Sequence, residues 1–409
     1  MSSEVPDGWR PVALGDLVDV NPESLPSSTD GDLSFRYIDV STVDGPSQML
    51  EPRRVRFCDA PSRARRKVRH GDILVSTVRP YLRAFCRVQG HRDDLVASTG
   101  FAVLRPRGDV YSSFLIQHVL SDWFVEHLIP RMKGSNYPAV SPQDVADYRF
   151  ALPPLPEQRR IAEILSNVDE AIQTTQAVID QAGRVRQCLL ESLFHRGTWE
   201  EHKPVPNGWE VILLDQVADR GSGHTPSKSH PEYWNGGIKW VSLQDTKRLD
   251  NIYISDTTAE ISLAGIENSS AVIHPAGIVV VSRDATIGKS AITTEPMAVS
   301  QHFICWRVKP SLSNLYLYYW LQNMKSVFDR IGAGSTIKTI GLGFFKSLMI
   351  PLPPLEVQEQ CAARLVEVDI VIQSNRESLN RIKIMKTALM SDLLTGRVRV
   401  SAELPMAAE

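Results

Sequence analysis

Two strings in this 409-residue chain carry residue types that do chemistry, and both stop short of a reaction. Residues 284–290, DATIGKS, end in Gly288-Lys289-Ser290, as a loop that wraps a nucleotide's phosphates would. Such a loop has its first glycine where this chain has Arg283, so the backbone cannot close around a triphosphate. Pro231-Glu232, followed by Asp245 and Lys247, imitates the two acids and a lysine of a metal-dependent nuclease. Strings this short recur by chance, and Trp240 and Val241 between them read as structural. The five cysteines, at 58, 86, 188, 305 and 361, have neither Cys-x-x-Cys nor zinc spacing, so no metal site is expected. No Asn-Pro-Pro-aromatic string, glycine-rich adenosylmethionine turn or Ser–His–Asp order is present either. The chain is expected to be no enzyme.

The elements that would position residues are written far more clearly. Residues 152–193 align without a gap on 352–393, 13 of 42 positions being identical. Pro6, Gly8 and Trp9 recur at the same offset of 200 as Pro206, Gly208 and Trp209. Each half reads as a globular part followed by one long helix. Short buried strands are expected at 73–76 and 101–104 and again at 278–281 and 303–306. Helices are expected at 113–126 and 312–328. Leu-Pro-Pro-Leu, at 152–155 and 352–355, forbids helix across the junction.

Beyond each junction the apolar residues step by four and three. The first seam runs Ile161, Leu165, Val168, Ile172, Thr175, Ile179, Ala182, Arg186, Leu189, Leu193. The second runs Cys361, Leu365, Val368, Ile372, Asn375, Leu379, Ile382, Lys386, Leu389, Leu393. This is the coiled-coil pattern, interrupted by polar residues at the same two steps. A helix of about 38 residues is about 57 Å long, more than a domain of this size covers. The expected fold is therefore mixed α/β (α+β): two similar globular domains separated by two long helices that pair as an antiparallel coiled coil, with pseudo-two-fold symmetry. The alternative is that each helix packs only on its own globular half. Expected boundaries are 1–153, 154–197, 198–353, 354–397 and a tail at 398–409.

Composition is that of a soluble globular protein, 43% hydrophobic and 22% charged. No apolar run approaches the roughly 18 residues of a membrane span, so no membrane is expected. MSSEVPDGWR at the N-terminus is no secretion signal, and unpaired thiols suit a reducing cytoplasm. Net charge is −2, yet between Arg53 and Arg92 there are twelve Lys or Arg against two acids. Local charge decides whether a face can displace phosphate counterions. The run Arg63-Ala-Arg-Arg-Lys67 reads equally as a phosphate contact or as solubilising charge. Trp9, Trp209 and Trp240 read as core anchors rather than stacking platforms.

The repeated Leu-Pro-Pro-Leu, Gln158 and Gln358, the long helices and Leu394-Thr-Gly-Arg397 together resemble the specificity subunit of Type I restriction-modification enzymes. So do Gly223-His-Thr-Pro226, Tyr233-Trp-Asn-Gly236, Lys239-Trp-Val241, Thr286-Ile-Gly-Lys289, Ser300-Gln301 and Gly334-Ser-Thr-Ile-Lys338, which are similar to motifs of that family's target-recognition domains. The first half departs, with Asn21-Pro22 at the opening, and Val357 stands where the family has glutamate. The resemblance covers nearly the whole chain. It implies a non-catalytic subunit that reads duplex DNA in two half-sites and scaffolds two methylation subunits and two restriction and translocation subunits. No cofactor is expected here; adenosylmethionine, ATP and magnesium would belong to those partners.

Base edges are read by forked donors and amides, phosphates by cations and small hydroxyls. The candidates in the first half are Arg79, Tyr81, Arg83, Ser98, Thr99, Lys133, Ser135, Asn136 and Tyr137. In the second they are Thr225, Ser227, Lys228, Arg283, Thr286, Lys289, Gln301, His302, Ser335, Thr336 and Lys338. A scaffold that binds only proteins is the rival reading. If the coil is a ruler, four residues inserted in phase into both helices add about 6 Å. At about 3.4 Å per base pair, the unread spacer should lengthen by about one to two base pairs in methylation mapping. An unchanged spacer would contradict the ruler.

Overall fold

The computed structural model describes residues 5–43, 49–90, 92–108, 110–194, 207–332 and 339–400. The chain forms two compact units, Met1–Gln176 with Glu377–Glu409, and Ala177–Arg376.

The first unit is built on two four-stranded sheets. One runs Val18–Val20, Phe101–Pro106, Ile73–Ser76, Phe85–Arg87, all antiparallel, with Ile73–Ser76 buried along its whole length. The other runs Arg53–Arg56, Ser34–Ile38, Leu95–Ser98, Ala64–Lys67, and its middle pair is parallel. The helix expected at 113–126 is two helices, Ser112–Val119 and Asp122–Leu128. Ser121 breaks it, because its hydroxyl accepts the Phe124 N–H and caps the second helix. Arg10–Ala13 pairs antiparallel with Arg149–Leu152, Arg10 opposite Leu152.

The second unit repeats this plan. Its larger sheet runs Ala218–Ser222, Phe303–Val308, Val279–Ser282, Ser290–Thr293, Tyr253–Ile254. Its smaller sheet runs Ala259–Ile261, Trp234–Val241, Met297–Val299, Ile273–His274. The closing pair, Glu210–Leu213 with Met349–Leu352, sets Glu210 opposite Leu352, the register of the first unit shifted by the same offset. The helix expected at 312–328 divides at Met324 into Asn314–Asn323 and Lys325–Ile331.

The long helices are Leu155–Leu193 and Leu355–Leu393. The division between the units falls inside both, so each unit holds the start of one helix and the end of the other. In the first unit Ile161 and Leu165 share a core with Leu393 and Leu394. In the second, Leu190 and Phe194 share a core with Cys361 and Leu365. Within each unit the two segments thus run antiparallel. Every seam residue named above is buried or half-buried.

The polar seam positions have partners that periodicity could not supply. Arg186 Nε donates to Asp369 Oδ1 at 2.6 Å, and Lys386 Nζ lies 2.6 Å from Asp169 Oδ1, the same pair written twice. Thr175 and Asn375 donate back to the carbonyls of Ala171 and Val371 in their own helices. The helices also bind their heads: Gln117 donates to Asp169 and the Tyr319 hydroxyl to Asp369. Packing is therefore on the partner helix and on the head, not on the head alone. Among the described residues, no helix is long and apolar enough to cross a membrane.

Candidate nucleic-acid interface

The candidate site of the first unit gathers three segments that lie far apart in sequence. Ile73–Ser76 leads into the turn TVRPYLR, where Arg79 and Arg83 both take left-handed backbone conformations, φ 49° and 55°. The Ser76 hydroxyl bonds the Val78 carbonyl inside this turn. The Thr77 N–H and hydroxyl both donate to the Gly100 carbonyl at 2.9 Å, which brings up Thr99. Val140 donates to Thr77 and Arg79 to Pro138, which brings up the loop 133–139. Gly134, at φ 93°, turns that loop so that Lys133 and Ala139 exchange backbone hydrogen bonds. The Arg79 guanidinium donates to the Asn136 carbonyl at 3.0 Å and stands 5.1 Å from the centre of the Tyr137 ring. Lys133, Ser135, Asn136 and Tyr137 are exposed, Tyr137 to 73%, as are Tyr81 and Thr99.

Two of the candidates are engaged within the protein. Ser98 is fully buried, and its hydroxyl accepts the Gly100 N–H, so it shapes the turn instead of facing solvent. Arg83 is half-buried and engaged, donating to the Leu120 carbonyl and to Asp122, and fastens the turn to a helix. Much of the basic run is also engaged. Arg66 reaches Ser24, Arg65 covers the Phe57 ring, and Lys67 and Arg69 face Glu23, whose carboxyl is held below the usual carboxylate range by Arg105 and Arg69. Arg63 is exposed, and its carbonyl accepts the Thr99 N–H.

In the second unit Val279–Ser282 enters a matching turn: the Ser282 hydroxyl bonds the Asp284 carbonyl, and Ala285 is left-handed at φ 58°. Val78 bridges Ala139 in the first unit as Asp284 bridges Thr339 in the second. DATIGKS is thus the counterpart of TVRPYLR and no phosphate loop. Its Lys289 is turned to Asp250, at 2.6 Å, and to the Thr246 carbonyl. Arg283 is half-buried and donates to the Ile340 carbonyl. Thr286 lies beside Thr246. Ser335, Thr336 and Lys338 lie outside the described residues.

Thr225, Lys228, Gln301 and His302 do come together, at an open pocket of about 350 Å³ that Trp234, Trp240 and Gln244 also line. Ser227 does not line it; its hydroxyl is bonded to Ser229 and its carbonyl accepts the Trp234 indole N–H. Trp240 and Trp9 are buried and bonded, to the His224 carbonyl and to Glu157, while Trp209 is half-buried. The nuclease-like string dissolves: Asp245 is fully buried and accepts from the backbone N–H and hydroxyl of both Ser242 and Thr258. Among the described residues no three His, Cys, Asp or Glu side chains are placed to hold a metal. Sequence reading missed Asp284, the partner of His302, because a carboxylate is not among the residue types that contact phosphates or commonly read bases, and their pairing spans 18 positions.

Two heads of one design, each carrying the same turn after a buried strand, define a duplicated protein. The comparisons agree. The type I restriction modification DNA specificity domain matches residues 6–183 and again 206–383. The chain belongs to that family, as a DNA-recognition subunit with no catalytic role of its own. It is 24% identical to a putative type I restriction enzyme MjaX specificity subunit of Methanocaldococcus jannaschii, over 97% of this chain and 95% of that one. The HindI specificity subunit of Haemophilus influenzae is 21% identical, over 83% and 89%. A chain from a type I R-M system solved for its complex assembly and conformational transition shares the fold at TM-score 0.60 and 24% identity, over 97% of this chain and 100% of that one. The type I S subunit from M. genitalium shares it at 0.59 and 12%, over 96% and 97%.

Proposed function

We propose that each unit reads one half of a bipartite duplex, the turn and loop of the first unit at one half-site and their counterparts in the second at the other. The observation that carries this reading is the equivalence of the two heads: the same turn, with the same serine-to-carbonyl bond and left-handed residue, is bridged to the same downstream position. Two independent sequences grafted on one frame suit a target of two unlike halves. The chain would act in the cytoplasm beside two methylation subunits and two restriction and translocation subunits. Adenosylmethionine, ATP and magnesium would be bound by those partners. Exposed Ile370 and Ile384 on the second long helix are apolar surface that docking subunits would cover.

Arg79→Ala is the test. It removes the guanidinium that organises Asn136 and Tyr137, and with it about 1–3 kcal/mol of reading. Binding to duplexes altered in one half-site at a time should show the first half-site read about tenfold less selectively and the second unchanged. Equal loss at both would mean the substitution acts through folding.

A further inference from the structure

One chain of hydrogen bonds in the second unit links Asp284, His302, Gln301 and Thr225. A carboxylate only accepts, and Asp284 Oδ2 lies 2.7 Å from His302 Nδ1, so that nitrogen carries the proton. In the neutral ring His302 Nε2 offers a lone pair, which Gln301 Nε2, at 3.4 Å, is placed to donate to. The Gln301 oxygen faces the other way and accepts the Thr225 hydroxyl. Gly223 permits this contact: a Cβ there would lie 1.5 Å from the Val299 carbonyl oxygen, so a side chain would push the Thr225 loop off the segment leading to Gln301.

An amide held at both ends keeps one N–H and one oxygen lone pair unengaged, and Gln301 is exposed. A donor beside an acceptor complements the N7 and N6–H₂ of adenine in the major groove; guanine shows two acceptors there and cytosine a donor alone. Because the rotamer is already held, ordering it on binding costs little entropy.

We propose that Gln301 reads an adenine in the half-site of the second unit, accepting from N6–H and donating to N7. Thr225, His302 and Asp284 are positioning residues that fix its amide. This rests on the DNA-reading role proposed above, and the experiment separates the two. The complex of the full chain with its methylation subunits selects its target from randomised duplexes. The wild-type second half-site should contain a required adenine, and replacing it with 7-deazaadenine should weaken binding roughly five- to tenfold by removing one hydrogen bond. Gln301→Ala should lose selection at that position alone, keep its thermal stability, and be indifferent to 7-deazaadenine. Thr225→Val should relax the same position to a smaller extent. A second half-site without adenine, a Gln301→Ala complex still sensitive to 7-deazaadenine, or selectivity lost across the whole half-site would overturn the assignment. A wild-type complex that selects no sequence would instead sink the DNA-reading role itself.

Discussion

Gln358→Ala should destabilise the second unit by about 3 kcal/mol. The residue is fully buried at the start of its long helix. Its oxygen accepts the Ser313 N–H at 2.8 Å, and its amide donates to the Ser311 and Pro353 carbonyls, each at 2.9 Å. Truncation leaves one buried donor and two acceptors facing a methyl group, and an unsatisfied buried group costs about 1–3 kcal/mol. Gln158 does the same work in the first unit, accepting from Tyr111 and donating to Pro153. Denaturant unfolding should therefore show the second unit weakened by Gln358→Ala and the first by Gln158→Ala. Midpoints that do not move would show that the repeated glutamine serves something other than joining helix to head.

The second large effect is a response to acid. His118, in the helix Ser112–Val119, is buried against Phe114 and Phe150, whose ring centres lie 4.9 and 4.2 Å away. Neither ring nitrogen has a partner among the described residues. Burial pushes its pKa down to about 3. In the unfolded chain the value is about 6.5, so the unfolded state takes up the proton first. The neutral ring contributes its full stability above pH 6.5, and that contribution is lost as pH falls from 6.5 toward 3. At pH 5 the loss is about 2 kcal/mol in the first unit. Unfolding free energies at pH 7.5 and 5.0 should diverge by this amount in the wild type and much less in His118→Phe. His274, also lowered by burial, belongs to the second unit and is common to both proteins. An equal pH slope in the two proteins would remove His118 from the account.

Much of the architecture was legible in the residues because it obeys local rules. The seam from Ile161 to Leu193, and its copy, is a periodic pattern in which each residue reports its own helix face, and all of it is at least half-buried. The prolines of Leu-Pro-Pro-Leu end a strand and precede a helix in both units for steric reasons confined to neighbours. The candidate site was less legible. Arg83, Lys289 and Ser98 have the residue types that touch DNA, yet Asp122 and Asp250 engage the two cations and Ser98 is buried. Each of the two carboxylates lies 39 positions from its cation.

The chain's amino-acid order by itself determined the duplication, the long helices, their pairing seam and the family, since repeats and periodicity need only spacing. Tertiary structure alone decided which cations face outward, that Asp169 and Asp369 would receive Lys386 and Arg186, and that Asp284 would aim Gln301 through His302. The ion pairs between the long helices join residues about two hundred positions apart, and Asp284 reaches His302 across 18. A side chain's direction is set by whichever opposite charge or open hydrogen bond the folded backbone brings within reach.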